Sequence, residues 1–182
     1  MQSRQVYISG QLVAEEEAVI SIFDSAVTLG DTVTESTRTF AHRPFKLDEH
    51  IARLYRSLKV TRIDPECGPE ELRQITMDLL ETNLPLNGPH EDFWIVHNIS
   101  RGRFVPGPDP TVQSGAATVM ISNSPMDLRG WAPFYAEGCH AVTAMSRMIP
   151  SQSLDARVKN RSRMAYTLAE MEVKLVDPLA QG

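Results

Sequence analysis

The sequence predicts an α+β fold, and three observations carry this prediction. The N-terminal segment QVYISGQLVA has two short apolar runs on either side of Ser9-Gly10, which is typical of a two-residue hairpin turn. From Ile51 onward, apolar residues recur at helical spacing. Strand-like segments then return at FWIVHNIS, residues 93–100. Strands and helices are therefore grouped rather than strictly alternating, as in an α+β domain.

The first half of the chain predicts strands followed by two helices. The alternating segment AVISIFD, residues 18–24, predicts a third strand after the hairpin. The Thr- and Val-rich segment 31–40 predicts a further strand that AHRP turns back into FKL. Asp48 is the predicted N-cap of a first helix, and Pro69 begins a second. The apolar face of the first helix consists of Ile51, Leu54, Tyr55 and Leu58.

The second half predicts a domain boundary. After FWIVHNIS come the loop RGRFVPGPDP and a strand at ATVMIS, which complete a small domain over residues 1–122. The turn-rich segment 123–133 is the predicted connector. Residues 134–182 predict only one strand, GCHAVTAMS, and one helix. Because one strand and one helix cannot bury their own apolar faces, we expect another segment or chain to complete this second unit. The helix presents Met164, Leu168, Met171 and Leu175 on one face.

Composition excludes several classes of function. The chain has 23 acidic and 18 basic residues and a net charge of −5, which argues against a nucleic-acid-binding domain. Its two cysteines are far apart and its five histidines lack ligand spacing, so we expect neither a disulfide framework nor a metal site. No apolar run approaches the roughly 18 residues that a membrane span needs. We therefore expect a cytoplasmic protein that acts on small molecules.

One positively charged cluster stands out against this acidic background. Lys159 lies within four residues of Arg157, Arg161 and Arg163, just ahead of the last predicted helix. Like charges and partial burial would favour a neutral amine, which is the form that attacks a carbonyl carbon. The same cluster would suit a phosphate or a carboxylate, and a solvated basic turn remains the alternative.

Four stretches in order resemble one enzyme family: VYISGQLVAEEEAVISIFD, LGDTVTESTRTFAHRPFKLDEHIARLYRS, ISRG and ARVKNRSRMAYTLAEMEV. The sequence resembles the N-terminal part of class IV, or fold type IV, aminotransferases, which depend on pyridoxal 5'-phosphate. The resemblance implies a two-domain homodimer with the small domain complete and the large domain only begun. It implies that Lys159 forms the internal aldimine, and that Arg53 in HIARL contacts the cofactor phosphate. On the helical wheel Arg53 lies almost opposite the apolar face, so the pattern alone predicts a solvated arginine.

The resemblance also points to residues that would contact substrate. The family position for a carboxylate-binding tyrosine falls on Val27 or Leu29, and the aromatic position of branched-chain enzymes falls on Thr34. A family arginine on the strand FWIVHNIS is replaced by Val96. These departures leave branched-chain and D-amino-acid selectivity open. Arg101 and Arg103 in SRGRF are candidate carboxylate ligands, with solvated loop arginines as the alternative.

The leading hypothesis is therefore an aminotransferase that moves an amino group between an amino acid or amine and a 2-oxo acid. The resemblance places the carboxylate partner of the pyridine nitrogen beyond Gly182, so we expect the C-terminal remainder as a separate piece of the same polypeptide. Two alternatives stay open. One is a lyase on the same scaffold, similar to aminodeoxychorismate lyase, and the other is a non-catalytic remnant of the family.

Overall fold

A six-stranded antiparallel sheet forms the core of the first part of the chain. The computed structural model describes residues 3–107 and 115–181. The spatial order of the strands is β2-β1-β6-β5-β3-β4. They span Gln5–Ile8 (β1), Gln11–Ala14 (β2), Thr32–Phe40 (β3), Arg43–Pro44 (β4), Phe93–Ser100 (β5) and Thr118–Pro125 (β6).

The described ranges contain five helices. The two longest, α2 at Leu47–Thr61 and α3 at Pro69–Asn83, contact one face of the sheet through β3, β1 and β6. The others are α1 at Ser25–Thr28, α4 at Ala132–Glu137 and α5 at Met164–Val176. Short 3-10 turns occupy Glu15–Glu17 and Leu84–Leu86. The mixed helix and strand content confirms the predicted fold class. No helix in the described ranges is both long and apolar enough to cross a membrane.

The apolar core lies between the sheet and helices α2 and α3. Side chains alternate across a strand, so every second residue of β3 and β5 faces the helices. The largest buried cluster joins both helices to the sheet. Its members are Val33, Leu54, Leu58, Ile63, Leu72, Leu79, Ile99, Ala117, Val119, Ile121 and Val158. A buried polar link adds to it, because Asn83 at the end of α3 hydrogen-bonds both Gln5 and Asn123.

The structure divides into two compact units. The first comprises Met1–Met126 together with Val158–Arg161, and the second comprises Asp127–Arg157 and Ser162–Gly182. Lys159 thus belongs to the first unit, because its short segment pairs with β3. The domain boundaries predicted from the sequence stay a prediction.

Three predicted details of secondary structure are wrong. Residues 18–24 form no strand, because their backbone pairing with another described segment is confined to Phe23 and Asp24, and Val19 is 77% exposed. The segment GCHAVTAMS forms no strand either, since its described pairing is a single bridge between Ala141 and Gln181. Asp48 is not the N-cap of α2. That position is occupied by Lys46 in the left-handed conformation, at φ 49°.

The predicted hairpin, the other strands and the three long helices are confirmed. Ser9 and Gly10 form the first turn with φ of 43° and 95°. The apolar face predicted for α5 is exposed, however, with Leu168 at 55% and Leu175 at 88% exposure. Val173 is the buried residue of that helix.

Candidate functional site

A buried carboxylate, that of Glu35, forms the centre of the candidate site. Its side chain is 1% exposed and stands on β3 opposite His97 of β5. Arg53 of α2 donates two hydrogen bonds to it, from Nε at 2.6 Å and from Nη2 at 2.7 Å. The backbone N–H of Ser36 donates a third at 2.9 Å, and His50 Nδ1 lies 3.1 Å from Oε1. The paired bonds from Arg53 fix the plane of its guanidinium group.

The charge of Glu35 is compensated locally. Burial raises the pKa of this carboxyl, but the hydrogen bonds from Arg53, Ser36 and His50 outweigh burial and lower the pKa to about 2. The hydrogen bond to Glu35 likewise raises the pKa of the Arg53 guanidinium. Glu35 is therefore a fixed negative charge near neutral pH, and it orients Arg53 rather than carrying a proton.

Lys159 reaches the same carboxylate from another part of the chain. Its carbonyl oxygen accepts a hydrogen bond from the Thr34 N–H at 2.8 Å, which attaches the segment to the edge of β3. Its Nζ lies 4.0 Å from Glu35 Oε1, and its side chain is 28% exposed. Pairing along β3 thus brings the amine to the buried acid.

Ser57 connects the lysine segment to the helix that carries Arg53. Its hydroxyl accepts a hydrogen bond from the backbone N–H of Lys159 at 3.2 Å and donates one to the carbonyl oxygen of Arg53 at 3.3 Å. Ser57 is 1% exposed, so this link is sheltered from water. The helix and the lysine segment are therefore held together by both the Ser57 hydroxyl and the shared carboxylate.

Arg53 is neither fully solvated nor fully buried. Its side chain is 45% exposed, and its hydrogen bonds within the described ranges use Nε and Nη2 but not Nη1. The helical pattern predicted a solvated arginine because it takes no account of a buried acid on a neighbouring strand. The exposed edge of the guanidinium retains donors for an anionic ligand.

The arginines close to Lys159 in sequence have separate local partners in the structure. Arg157 pairs with Asp155 at 2.6 Å, and Arg163 lies over the ring of Tyr166 with its Cζ 4.9 Å from the ring centroid. Arg161 contributes its backbone N–H to the pairing with β3. The surroundings of Lys159 are therefore set by Glu35 as well as by the neighbouring cations.

His97, next to Glu35 in the sheet, is a packed core histidine. It is 1% exposed, and its Nε2 lies 2.9 Å from Thr76 Oγ1. That hydroxyl donates to the carbonyl oxygen of Leu72 at 2.7 Å, so the network assigns the ring proton to Nε2. Nδ1 then has no hydrogen-bond partner within the described ranges. Burial lowers the pKa of His97 to about 4, with attraction to Glu35 opposing the shift.

The other predicted substrate contacts differ in their exposure. Val27 in α1 is 56% exposed, and Leu29 just after it is 55% exposed. Thr34, 2% exposed, hydrogen-bonds the carbonyl oxygen of His97 at 3.1 Å. Thr34 precedes Glu35 on β3, and its N–H bonds to the lysine segment.

The two loop arginines have different environments. Arg101 donates to Asp31 at 2.6 Å, to the carbonyl oxygen of Thr61 at the end of α2 at 2.9 Å, and to that of the C-cap residue Arg62 at 3.0 Å. Arg103 is exposed, and its Cζ lies 5.8 Å from the centroid of the Phe23 ring. The guanidinium group of Arg101 therefore terminates a helix and pairs with an acid, whereas that of Arg103 stands at the surface.

Sequence reasoning did not identify Glu35. A signal was present in the sequence. Glu35 follows Val33 by two residues, so both side chains lie on the same face of β3, and Val33 faces the core opposite Ile99 of β5. An acid at a core-facing position requires a compensating partner. The sequence alone does not show which cation that partner is.

Comparison with known proteins now identifies the family. The model of the family described as "Amino-transferase class IV" matches residues 32–177. The chain belongs to this family, whose members have fold type IV and depend on pyridoxal phosphate.

Individual relatives agree with this assignment. A putative branched-chain-amino-acid aminotransferase of Methanocaldococcus jannaschii is 31% identical over 169 residues, which is 92% of this chain and 55% of the relative. An aminodeoxychorismate lyase of Bacillus subtilis is 36% identical over 78 residues, 43% of this chain and 27% of the relative. The chain spans about half the length of the first of these curated relatives.

Solved structures show the same fold. The branched-chain amino acid aminotransferase of T.th., solved with pyridoxamine 5'-phosphate, superposes with a TM-score of 0.78 at 24% sequence identity. The match covers 94% of this chain and 55% of that one. The small-domain architecture is therefore that of fold type IV.

Proposed function

We propose that this chain carries the lysine and the phosphate-binding arginine of a pyridoxal-phosphate-dependent aminotransferase. The reaction moves an amino group between an amino acid or amine and a 2-oxo acid. The observation that supports this most is the convergence of Lys159 and Arg53 on Glu35. The two cations are far apart in sequence, and folding brings both to one buried carboxylate.

The residues of this cluster fit the cofactor. A lysine side chain that is 28% exposed suits covalent attachment to an aldehyde, and the exposed donors of Arg53 suit a phosphate. The cofactor, when bound, supplies the electron sink that stabilises negative charge at the substrate Cα. The protein has to supply orientation and proton transfer.

Each residue of the cluster then has a separate task. Lys159 would hold the cofactor through its amine, and the free amine would move a proton to and from the substrate Cα. Arg53 binds the phosphate, and Glu35 keeps the Arg53 guanidinium in one plane. Because the pKa of Glu35 is lowered to about 2, it does not compete with Lys159 for this proton.

Of the two loop arginines, Arg103 is the better candidate for a substrate carboxylate. Arg101 already donates to Asp31 and to two carbonyl oxygens, so recruiting it would break those bonds. Arg103 is exposed beside Phe23, whose ring is 55% exposed. Val27 and Leu29 offer apolar contact with a substrate but no hydroxyl group. We also propose that the protein is a homodimer in which the rest of the family fold completes each subunit.

A lyase is the second candidate, because the aminodeoxychorismate lyase of Bacillus subtilis matches part of this chain.

An assay with cofactor and a panel of amino donors separates the candidates. A transaminase forms one 2-oxo acid per cofactor from the donor alone, and net turnover requires an acceptor 2-oxo acid. Lys159→Ala should abolish this product, whereas Lys59→Ala, at an exposed position of α2, should not. Turnover without an acceptor, with loss of a carbon fragment, would favour the lyase.

A further inference from the structure

Asp24 is a buried acid outside the Glu35 cluster. It is 3% exposed, and within the described ranges no cationic side chain forms a salt bridge with it. Hydrogen bonds satisfy the carboxylate instead. Oδ1 accepts from the Ala26 N–H at 2.8 Å and from the Ser100 hydroxyl at 2.6 Å, and Oδ2 accepts from the Thr118 hydroxyl at 2.5 Å.

These bonds join three separate segments. Ala26 belongs to α1, Ser100 ends β5, and Thr118 begins β6. Short backbone bonds reinforce the junction, because the Ser25 N–H donates to the Gly102 carbonyl oxygen at 2.8 Å and the Phe104 N–H to that of Phe23 at 2.8 Å. Asp24 itself bridges to Arg103 in the antiparallel sense.

The same segments carry the substrate candidates. Val27 and Leu29 follow Asp24 directly in and after α1, and Arg103 lies on the strand-like segment that pairs with Asp24. The carbonyl oxygen of Asp24 also accepts from the Val27 N–H at 3.0 Å. Each of these three residues is therefore placed by the backbone at or beside Asp24.

We propose that Asp24 is a positioning residue that holds Val27 and Leu29 against Arg103, so that they form one surface for the carboxylate end of the amino substrate. The assignment rests on the proposed function, and Asp24 itself does not touch the substrate. A carboxylate suits this junction because it accepts from several donors at once. An amide would turn a donor toward one of the two hydroxyl groups.

The test compares Asp24→Asn with two other variants. Thr118→Val removes one of the hydrogen bonds without changing the acid. Asp127→Asn is the matched control, because Asp127 accepts from the Arg129 N–H at 3.0 Å but is exposed.

Hydrogen exchange of the Ala26, Ser25 and Phe104 amides is measured first, on protein without substrate. We expect exchange to accelerate about tenfold in Asp24→Asn, as for the loss of one hydrogen bond. Exchange should accelerate less in Thr118→Val, and it should not change in the control.

Enzyme kinetics provide the second measurement. In Asp24→Asn, the KM for the amino donor should rise about tenfold, as for one lost hydrogen bond, while kcat and cofactor attachment at Lys159 stay near wild type. Unchanged exchange would overturn the proposal, as would an equal loss of cofactor attachment. If wild-type protein attaches no cofactor, the proposed function and the substrate role of Asp24 both fail. The exchange data would still show whether Asp24 joins the segments.

Discussion

Glu35 contributes to stability only through the partners that compensate its charge. Replacing it with glutamine should destabilise the fold by about 2 kcal/mol, because bonds to a charged group become weaker and a donor meets the Arg53 guanidinium. The half-exposed position of Arg53 keeps the cost below that of a fully buried ion pair. Urea unfolding at pH 7 measures the difference. Asp48→Asn is the control, since its pair with Arg73 is exposed and should contribute about 0.5 kcal/mol or less.

The contribution of Glu35 should depend on pH in a defined direction. Its pKa is about 2 in the folded chain, below the ordinary value of 4.5. The stabilisation is therefore fully present above the ordinary pKa and is lost as pH falls through the folded pKa. The stability gap between wild type and Glu35→Gln should shrink between pH 4.5 and pH 2. A gap that stays constant over this range would contradict the lowered pKa.

His97 should make the fold sensitive to acid at a higher pH. Burial lowers its pKa from 6.5 to about 4, so the unfolded chain binds more protons between these values. Stability should fall by about 3 kcal/mol as pH drops through this window, as the size of the shift implies. His97→Gln should flatten the curve, whereas the exposed His90→Gln should leave it unchanged. A histidine NMR titration that shows His97 protonating near pH 6.5 would refute the prediction.

At the residue level, the sequence identified the two cations, Lys159 and Arg53, but not Glu35, the acid that both approach. Lys159 and Arg53 were identified through motifs of the family. Glu35 lies within one of these motifs, yet its pairing with Arg53 depends on the orientation of α2 against β3, which is a property of the folded chain. The three-arginine cluster was predicted from proximity in sequence alone. Arg157 instead pairs with a nearby acid in the structure.

At the level of elements, Gly102 sets the path of the chain after β5. Its φ is 86°, and a Cβ built there would lie 2.0 Å from the carbonyl oxygen of Ala116. Gly102→Ala should therefore destabilise the fold more than Gly10→Ala, whose φ is 95° but which has open space around it. We expect about 1 kcal/mol for Gly10→Ala, from the left-handed backbone alone, and at least twice that for Gly102→Ala. Thermal unfolding of the two variants compares them directly, and equal losses would show that the close approach to Ala116 is absent.

The apolar periodicity of the sequence predicted those strands and helices whose packing partners lie within the same compact unit. β3, β5, α2 and α3 pack on one another, so their apolar patterns reflect real burial. The two predicted strands that failed, at residues 18–24 and 138–146, have apolar alternation but almost no backbone pairing. A strand is defined by its neighbours, and alternation does not specify them.

For the whole molecule, family resemblance and physical pattern predicted different things. The patterns predicted an α+β fold, which the structure confirms. The resemblance gave the family, which the comparisons confirm over residues 32–177. Neither predicted that Val158–Arg161 would join the first unit. That contact depends on an edge of β3 that β4, only two residues long, leaves available.

The central claim is that Lys159 holds the cofactor beside Arg53 and Glu35. The most direct test is to add pyridoxal phosphate, reduce with borohydride, and map the phosphopyridoxyl group by peptide mass spectrometry. We predict a single modified site at Lys159, with weaker labelling in Arg53→Gln at limiting cofactor and normal labelling in Lys59→Ala. A label at another lysine, or none on the folded protein, would contradict the account.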